Sequence, residues 1–200
     1  MTRKGGQERR RELLEAAVRL FGKQGFDSTT LDAVAHATGV TKQTLLYYFA
    51  SKDALFDACV SEVSIHVAGV LERVLEGSDS GWARVESVVR GILRMAEEWP
   101  ELPLFLREAA RRSPKVVEQV ASDLEPLRKR ALMFLERGME QGEFRQQDPG
   151  LLLFMLYTAI VGSLTEAGVL RAFAGRDSGT TALRKREEEL IEFVRRALSP

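Results

Sequence analysis

The chain should fold as an all-α protein, with a three-helix helix-turn-helix domain at the N-terminus and a larger helical domain behind it. Apolar residues recur at three- and four-residue intervals along nearly its whole length, and no stretch shows the strict alternation of a strand. Gly, Pro and N-capping Ser, Thr or Asp punctuate those periodic runs. Of its 200 residues, 44% are apolar and 29% charged. That balance suits a soluble globular chain and excludes wholesale disorder, which needs low hydrophobicity and unbalanced charge.

The elements follow in order. Leu13, Leu14, Ala17, Val18 and Phe21 lie on one helical face, giving an amphipathic helix over residues 7–23 that Gly22 and Gly25 should stop. Thr30 offers an N-cap for a short helix over 31–38, Gly39 breaks it, and Thr41 caps a second short helix to Tyr48. Ser51 starts a long helix through Leu55, Phe56, Val60, Val63 and Val67 that ends near Gly77. After a turn over 77–81, helices are expected over 82–98, 101–111, 114–121 and 123–141, with Pro100 and the capping pair Ser113-Pro114 between them. Asp148-Pro149 opens an apolar helix to Ala172, a loop spans 175–179, and a last helix covers 181–198. The count is about nine or ten helices. The domain border is expected at residue 51, giving domains 1–51 and 52–200.

Several function classes are excluded or poorly supplied. One cysteine, Cys59, rules out an intrachain disulfide framework, and with only His36 and His66 no metal site is expected. The single thiol fits a reducing cytoplasm, which is the expected location. The basic start lacks the apolar stretch of a secretory signal. From Gly150 to Thr165 there are 16 residues without a charge, short of the ~20 a spanning helix needs, so a buried core or subunit interface is expected there rather than a membrane. There is no phosphate loop, Gly-rich dinucleotide turn or nucleophile elbow, so neither an enzyme nor a cofactor is expected.

The zero net charge hides an asymmetry. Residues 1–52 carry nine Lys/Arg and five Asp/Glu, whereas 53–200 carry twenty and twenty-four. A basic quarter ahead of a mildly acidic remainder suggests that one part meets a polyanion.

The informative stretch is TTLDAVAHATGVTKQTLLYYFASK, residues 29–52. Counting from Leu31, small Ala35 is fifth, Gly39 ninth and apolar Leu45 fifteenth. A helix-turn-helix needs that spacing: the crossing helices require a small fifth residue, and the turn favours glycine at positive φ. Val34, Val40 and Leu45 would close the core, leaving Thr41, Lys42, Gln43, Thr44 and Tyr47 facing out as donors for base edges and phosphates. An αα-hairpin with a solvated polar face would show the same spacing; the basic charge favours double-stranded DNA.

Over residues 10–56 the chain resembles the DNA-binding domain of the TetR family of bacterial transcriptional repressors. The matching residues include Leu13-Leu14, Ala17, Leu20-Phe21, Gly25-Phe26, Thr29-Thr30, Val34-Ala35, Gly39-Val40-Thr41-Lys42, Thr44-Leu45, Tyr48-Phe49, Ser51-Lys52 and Leu55. The resemblance implies that Thr41–Tyr48 is the recognition helix, that Thr30, Thr44, Tyr48 and Lys52 contact phosphates, and that Lys42 and Gln43 face base edges. Leu46 stands where family members commonly carry Tyr, which removes a hydroxyl; Tyr47 is placed to supply a substitute.

The remainder carries no motif and should sense a ligand and dimerise. The family dimerises through its last two long helices; here the helices over 148–172 and 181–198 carry more apolar surface than one monomer easily hides, with small Ala159, Gly162, Ser163 and Ala167 allowing close approach. A homodimer also suits DNA reading, since two recognition helices about 34–36 Å apart read a palindrome. Candidate effector-binding residues are His66, Met95, Trp99, Phe105, Met133, Phe134, Met155 and Tyr157, large or soft side chains of the kind that line apolar cavities. Side chains of this kind at helical spacing are usually plain core. Two functions stay open: a repressor released by a small, largely apolar effector, and a ligand-independent or nucleoid-type DNA-binding protein.

Overall fold

The computed structural model describes residues 2–77, 80–112, 114–174 and 180–200, with the side chains of 2–4, 167, 174 and 180–184 left aside. Among these residues there are helices and no strand: α1 (Thr2–Ser28), α2 (Leu31–Ala37), α3 (Lys42–Tyr48), α4 (Lys52–Leu75), α5 (Gly81–Glu98), α6 (Glu101–Arg112), α7 (Pro114–Asp123), α8 (Glu125–Glu140), α9 (Pro149–Thr165), α10 (Ala167–Ala174) and α11 (Thr180–Leu198). The expected cap at Ser113, the loop over 175–179 and the middle of the 77–81 turn lie outside the described residues.

Two expected boundaries are corrected. Gly22 does not stop α1, which runs on to a break at Gly25, where φ is 80° and ψ 166°. Gly22 instead permits a close approach: a Cβ there would lie 2.8 Å from the Glu101 carbonyl oxygen and 3.2 Å from the Phe105 nitrogen of α6. The apolar helix expected to reach Ala172 ends at Thr165, because Glu166 leaves helical geometry (φ −99°, ψ 46°). Nothing in local propensity marks that break.

By contacts the chain forms two compact units, Met1–Val67 with Trp99–Asp123, and Ala68–Glu98 with Leu124–Pro200. Residue 51, the expected border, falls inside the first of these. α4 is one continuous helix carrying residues of both.

In the first unit, α6 packs along α1. Phe21 meets Phe56 edge-on at 5.1 Å, Phe26 meets Phe56 edge-on at 5.1 Å, and Phe105 lies 5.3 Å from Phe56. The Arg112 guanidinium sits 3.4 Å from the Phe26 ring centre and pairs with Asp53, holding that carboxyl below its usual range. At the Gly25 corner the Phe26 N–H donates to Glu108 Oε1 at 2.9 Å, and the Thr29 hydroxyl donates to the Gly25 carbonyl at 2.8 Å. Burial alone would push the Glu108 carboxyl up, but the Phe26 N–H and Arg111 outweigh it and hold it below its ordinary value.

Whereas the uncharged run over 150–165 lies in the shorter α9, α4 is the one described helix long and apolar enough to cross a membrane by length and composition. Its Leu55, Phe56, Cys59 and Val63 are buried in the first unit, as in a core helix. Burial pushes the Cys59 thiol far up, and its Sγ points at the Leu14 carbonyl, so this cysteine is inert packing.

In the second unit, Val89 of α5, Met139 of α8, Leu152 and Ile160 of α9, and Val194 and Leu198 of α11 share one core. Gly142 (φ 73°) turns the chain after α8 and returns Phe144 onto that helix, where the missing Cβ of Gly138 makes room for its ring. Arg90 ties α5 to α11 through Glu187 at 2.6 Å.

Gly22→Ala should lower stability by about 1–2 kcal/mol despite alanine's better helix propensity, because backbone atoms of α6 stand where its methyl would go. Urea unfolding midpoints check this. Glu108, with its pKa depressed by folding, should contribute stability that is complete above its ordinary unfolded pKa and lost as pH falls through the lower folded value. Glu108→Gln should therefore destabilise at pH 7, and the gap to wild type should close toward pH 3.

Candidate nucleic-acid interface

Helix α3, the expected recognition helix, is built from the turn upward. Gly39 takes φ 66°, and the Val40 N–H returns to the Ala35 carbonyl at 3.0 Å, closing the turn after α2. Val34, Ala35 and Leu45 are buried, so α2 and α3 are joined by a small apolar core. Thr41 caps α3, its Oγ1 accepting from the Thr44 N–H at 3.1 Å. At the far end the Phe49 N–H donates to the Leu45 carbonyl at 2.9 Å. Phe49 is buried under the Arg10 guanidinium, 5.3 Å from its ring centre.

What is left faces out. Lys42, Gln43 and Tyr47 are exposed, Tyr47 by 85%, and Thr44 and Tyr48 are half-buried. Tyr47 stands edge-on to Tyr48 with ring centres 5.4 Å apart. The Thr30 Oγ1 accepts from the Ala33 N–H at 3.1 Å, which caps α2 and leaves its hydroxyl proton to donate outward. Thr41 and Thr44 share a hydrogen bond at 2.9 Å, so one of their two protons remains. Lys52, at the start of α4, lies 4.2 Å from the Phe26 ring centre and donates to the Asp27 carbonyl at 3.3 Å. Leu46 is partly exposed, an apolar patch beside Tyr47.

Residue patterns missed two contacts around this surface. Lys42 Nζ lies 2.8 Å from Asp32 Oδ2 of α2, an ion pair across the turn. Arg9 reaches the Thr38 carbonyl at 3.5 Å from α1. An acid in the first turn of a helix is the ordinary sign of a favourable helix end, so nothing in the sequence marked Asp32 as a partner of Lys42.

The effector candidates do not gather in one place. In the first unit, Phe105 is fully buried in the aromatic core, and exposed His66 stands edge-on to half-buried Trp99 at 5.6 Å. In the second, Met133, Met155 and Tyr157 are about half exposed, and Phe134 packs edge-on against Phe144 at 5.6 Å. Met95 is buried and lines a cavity of about 270 Å³ together with Val70, Arg73, Val74, Gly91, Arg94 and Glu98. Gly91 lets α5 approach α4 there, since a Cβ would meet Val74 Cγ2 at 2.8 Å.

Comparison with known proteins agrees with this geometry. Residues 13–59 match the family model for bacterial regulatory proteins of the TetR family. The HTH-type transcriptional regulator RutR of Escherichia coli (strain K12) is 27% identical over 153 residues, 76% of this chain and 71% of that protein. In fold, the ketosteroid transcriptional regulator KstR2 of Mycobacterium tuberculosis superposes with a TM-score of 0.78 at 19% identity, covering 96% of this chain and 95% of that one. A transcriptional regulator from Saccharomonospora viridis in complex with choline does so at 0.75 and 21%, covering 97% and 99%. Residues 13–59 thus carry a helix-turn-helix domain of the TetR type, and over most of its length the chain is similar to DNA-binding transcriptional regulators.

Proposed function

We propose that this regulator is a cytoplasmic repressor that binds a palindromic operator as a homodimer and is released by a small, largely apolar effector. The observation that carries the DNA half is the outward polar side of α3, held by Leu45 on its buried side. Lys42 and Gln43 donate to base edges, guanine and adenine being their natural acceptors. Thr30, Thr44, Tyr48 and Lys52 hold phosphates, Thr41 keeps the helix start in shape, and Tyr47 takes over the contact that Leu46 cannot make.

The second copy is supported by an apolar stripe. Leu151, Phe154 and Met155 recur at three and four residues along α9 and are all about half exposed or more, Phe154 by 60%. Phe193 of α11 is 59% exposed. Such side chains, left in water on two long helices, suit a helix-on-helix interface. For the effector, the cavity lined by Val70, Val74 and Met95 offers an apolar floor with Arg73, Arg94 and Glu98 as polar anchors. Continuous α4 begins at Lys52 and ends on that cavity, so an effector that prefers one placement of α4 would shift the spacing of the recognition helices.

Selection from random duplexes should return a palindrome with half-sites about 10–10.5 bp apart or a multiple of that. Single mismatches should cost about 1–3 kcal/mol each. Lys52→Ala should weaken all sequences alike and reduce the salt slope by about 1, whereas Gln43→Ala should relax preference at one position. Titrating small amphiphiles into the complex should find one that releases DNA. A flat response to mismatches would instead mean a nucleoid-type binder. Phe154→Glu should convert the dimer to monomer in light scattering and, with it, remove most operator affinity.

A further inference from the structure

We propose that Asp32 is a positioning residue for base reading: its carboxylate holds the Lys42 ammonium so that the pair reads one G·C base pair in each half-site. This rests on the DNA-reading proposal above. The Lys42 Nζ to Asp32 Oδ2 distance is 2.8 Å, and the two side chains keep 50% and 66% of their surface exposed. A pair so exposed contributes only about 0–1 kcal/mol to folding, so fold stability does not account for it.

Its place does. Asp32 lies in the first turn of α2, two residues after Thr30, whose hydroxyl faces phosphate in the proposed complex. A bare carboxylate there would oppose every DNA sequence equally. Lys42 is the first residue of α3. An untethered lysine on its four-carbon stem settles on the nearest phosphate, which gives affinity without sequence information. Tethered, the ammonium donates one proton to Asp32 and keeps two for guanine O6 and N7. The carboxylate keeps lone pairs that can accept from cytosine N4. Donor beside acceptor is the pattern that complements the major-groove edge of a G·C pair.

The test compares wild type, Asp32→Asn, Lys42→Ala and the double variant on the selected operator, on all its single-base substitutions and on an unrelated duplex, at several salt concentrations. Melting temperatures check that each variant folds, and Asp32→Glu, which keeps the charge, serves as the conservative rescue. In wild type, one G·C position per half-site should discriminate by about 5–150-fold. Asp32→Asn should erase most of that discrimination at that position alone, while unrelated DNA binds several-fold tighter with a salt slope steeper by about one charge. Asp32→Glu should restore part of it, and Asp32→Asn should add nothing once Lys42 is alanine. Equal weakening of all duplexes, unchanged discrimination, or independent effects of the two substitutions would each overturn the assignment. Wild-type protein that selects no sequence at all would overturn the DNA-reading proposal itself, a result distinct from these.

Discussion

A helix of seven residues cannot hold its shape alone in water, since isolated helices below about 12–15 residues are marginal. α3 is such a helix, and the local architecture supplies what it lacks. Leu45 fixes its inner side, Thr41 satisfies its first turn, and the Phe49 N–H closes its last. Behind it stands a frame of α1, α4 and α6, locked where Gly22 admits the α6 backbone and where Glu108 accepts the Phe26 N–H. The frame costs little in exposed polar groups because each bend in it is satisfied: the Gly25 carbonyl by Thr29, and the Phe26 N–H by Glu108.

That division explains what the residues told in advance. The helix-turn-helix was legible because its determinants are local. A small residue, a glycine and a leucine at fixed spacing are each dictated by contacts within fifteen residues, and the capping threonines act on their own helix ends. Helix existence elsewhere was legible for the same reason, through periodicity and punctuation. The clearest departure comes from longer range. Gly22 looks like a stop signal until α6, some eighty residues later, is brought against it. The apolar run after Pro149 has no local reason to end at Thr165, and α4, the longer apolar helix by composition, shows itself as core only through its partners.

The site divides along the same line. Outward-facing Lys42, Gln43 and Tyr47 follow from Leu45 facing in, so helical geometry alone places them. Asp32 beside Lys42 does not follow, because it depends on the crossing of α2 over α3. The effector candidates fared differently again: Phe105 is core, Met155 and Tyr157 are on an exposed helix face, and only Met95 reaches the described cavity. Large soft side chains serve core, interface and pocket alike, and the sequence carries no mark to separate those uses.

The two halves of the proposed function therefore differ in how far residue chemistry reaches. Duplex DNA presents every reader with the same phosphate spacing and the same groove edges, so a domain that meets it is confined to a narrow pattern of donors on a narrow range of supports. An effector imposes no shared shape. A cavity between α4 and α5 needs no fixed motif: Gly91 lets the two helices close up on Val74, and the gap beside that contact is bounded by ordinary side chains, its polar anchors being ordinary surface charges until the helices are packed. Arg73, Arg94 and Glu98 take on meaning only through that packing, which is why the sequence points to the partner of α3 and leaves the occupant of the cavity to experiment.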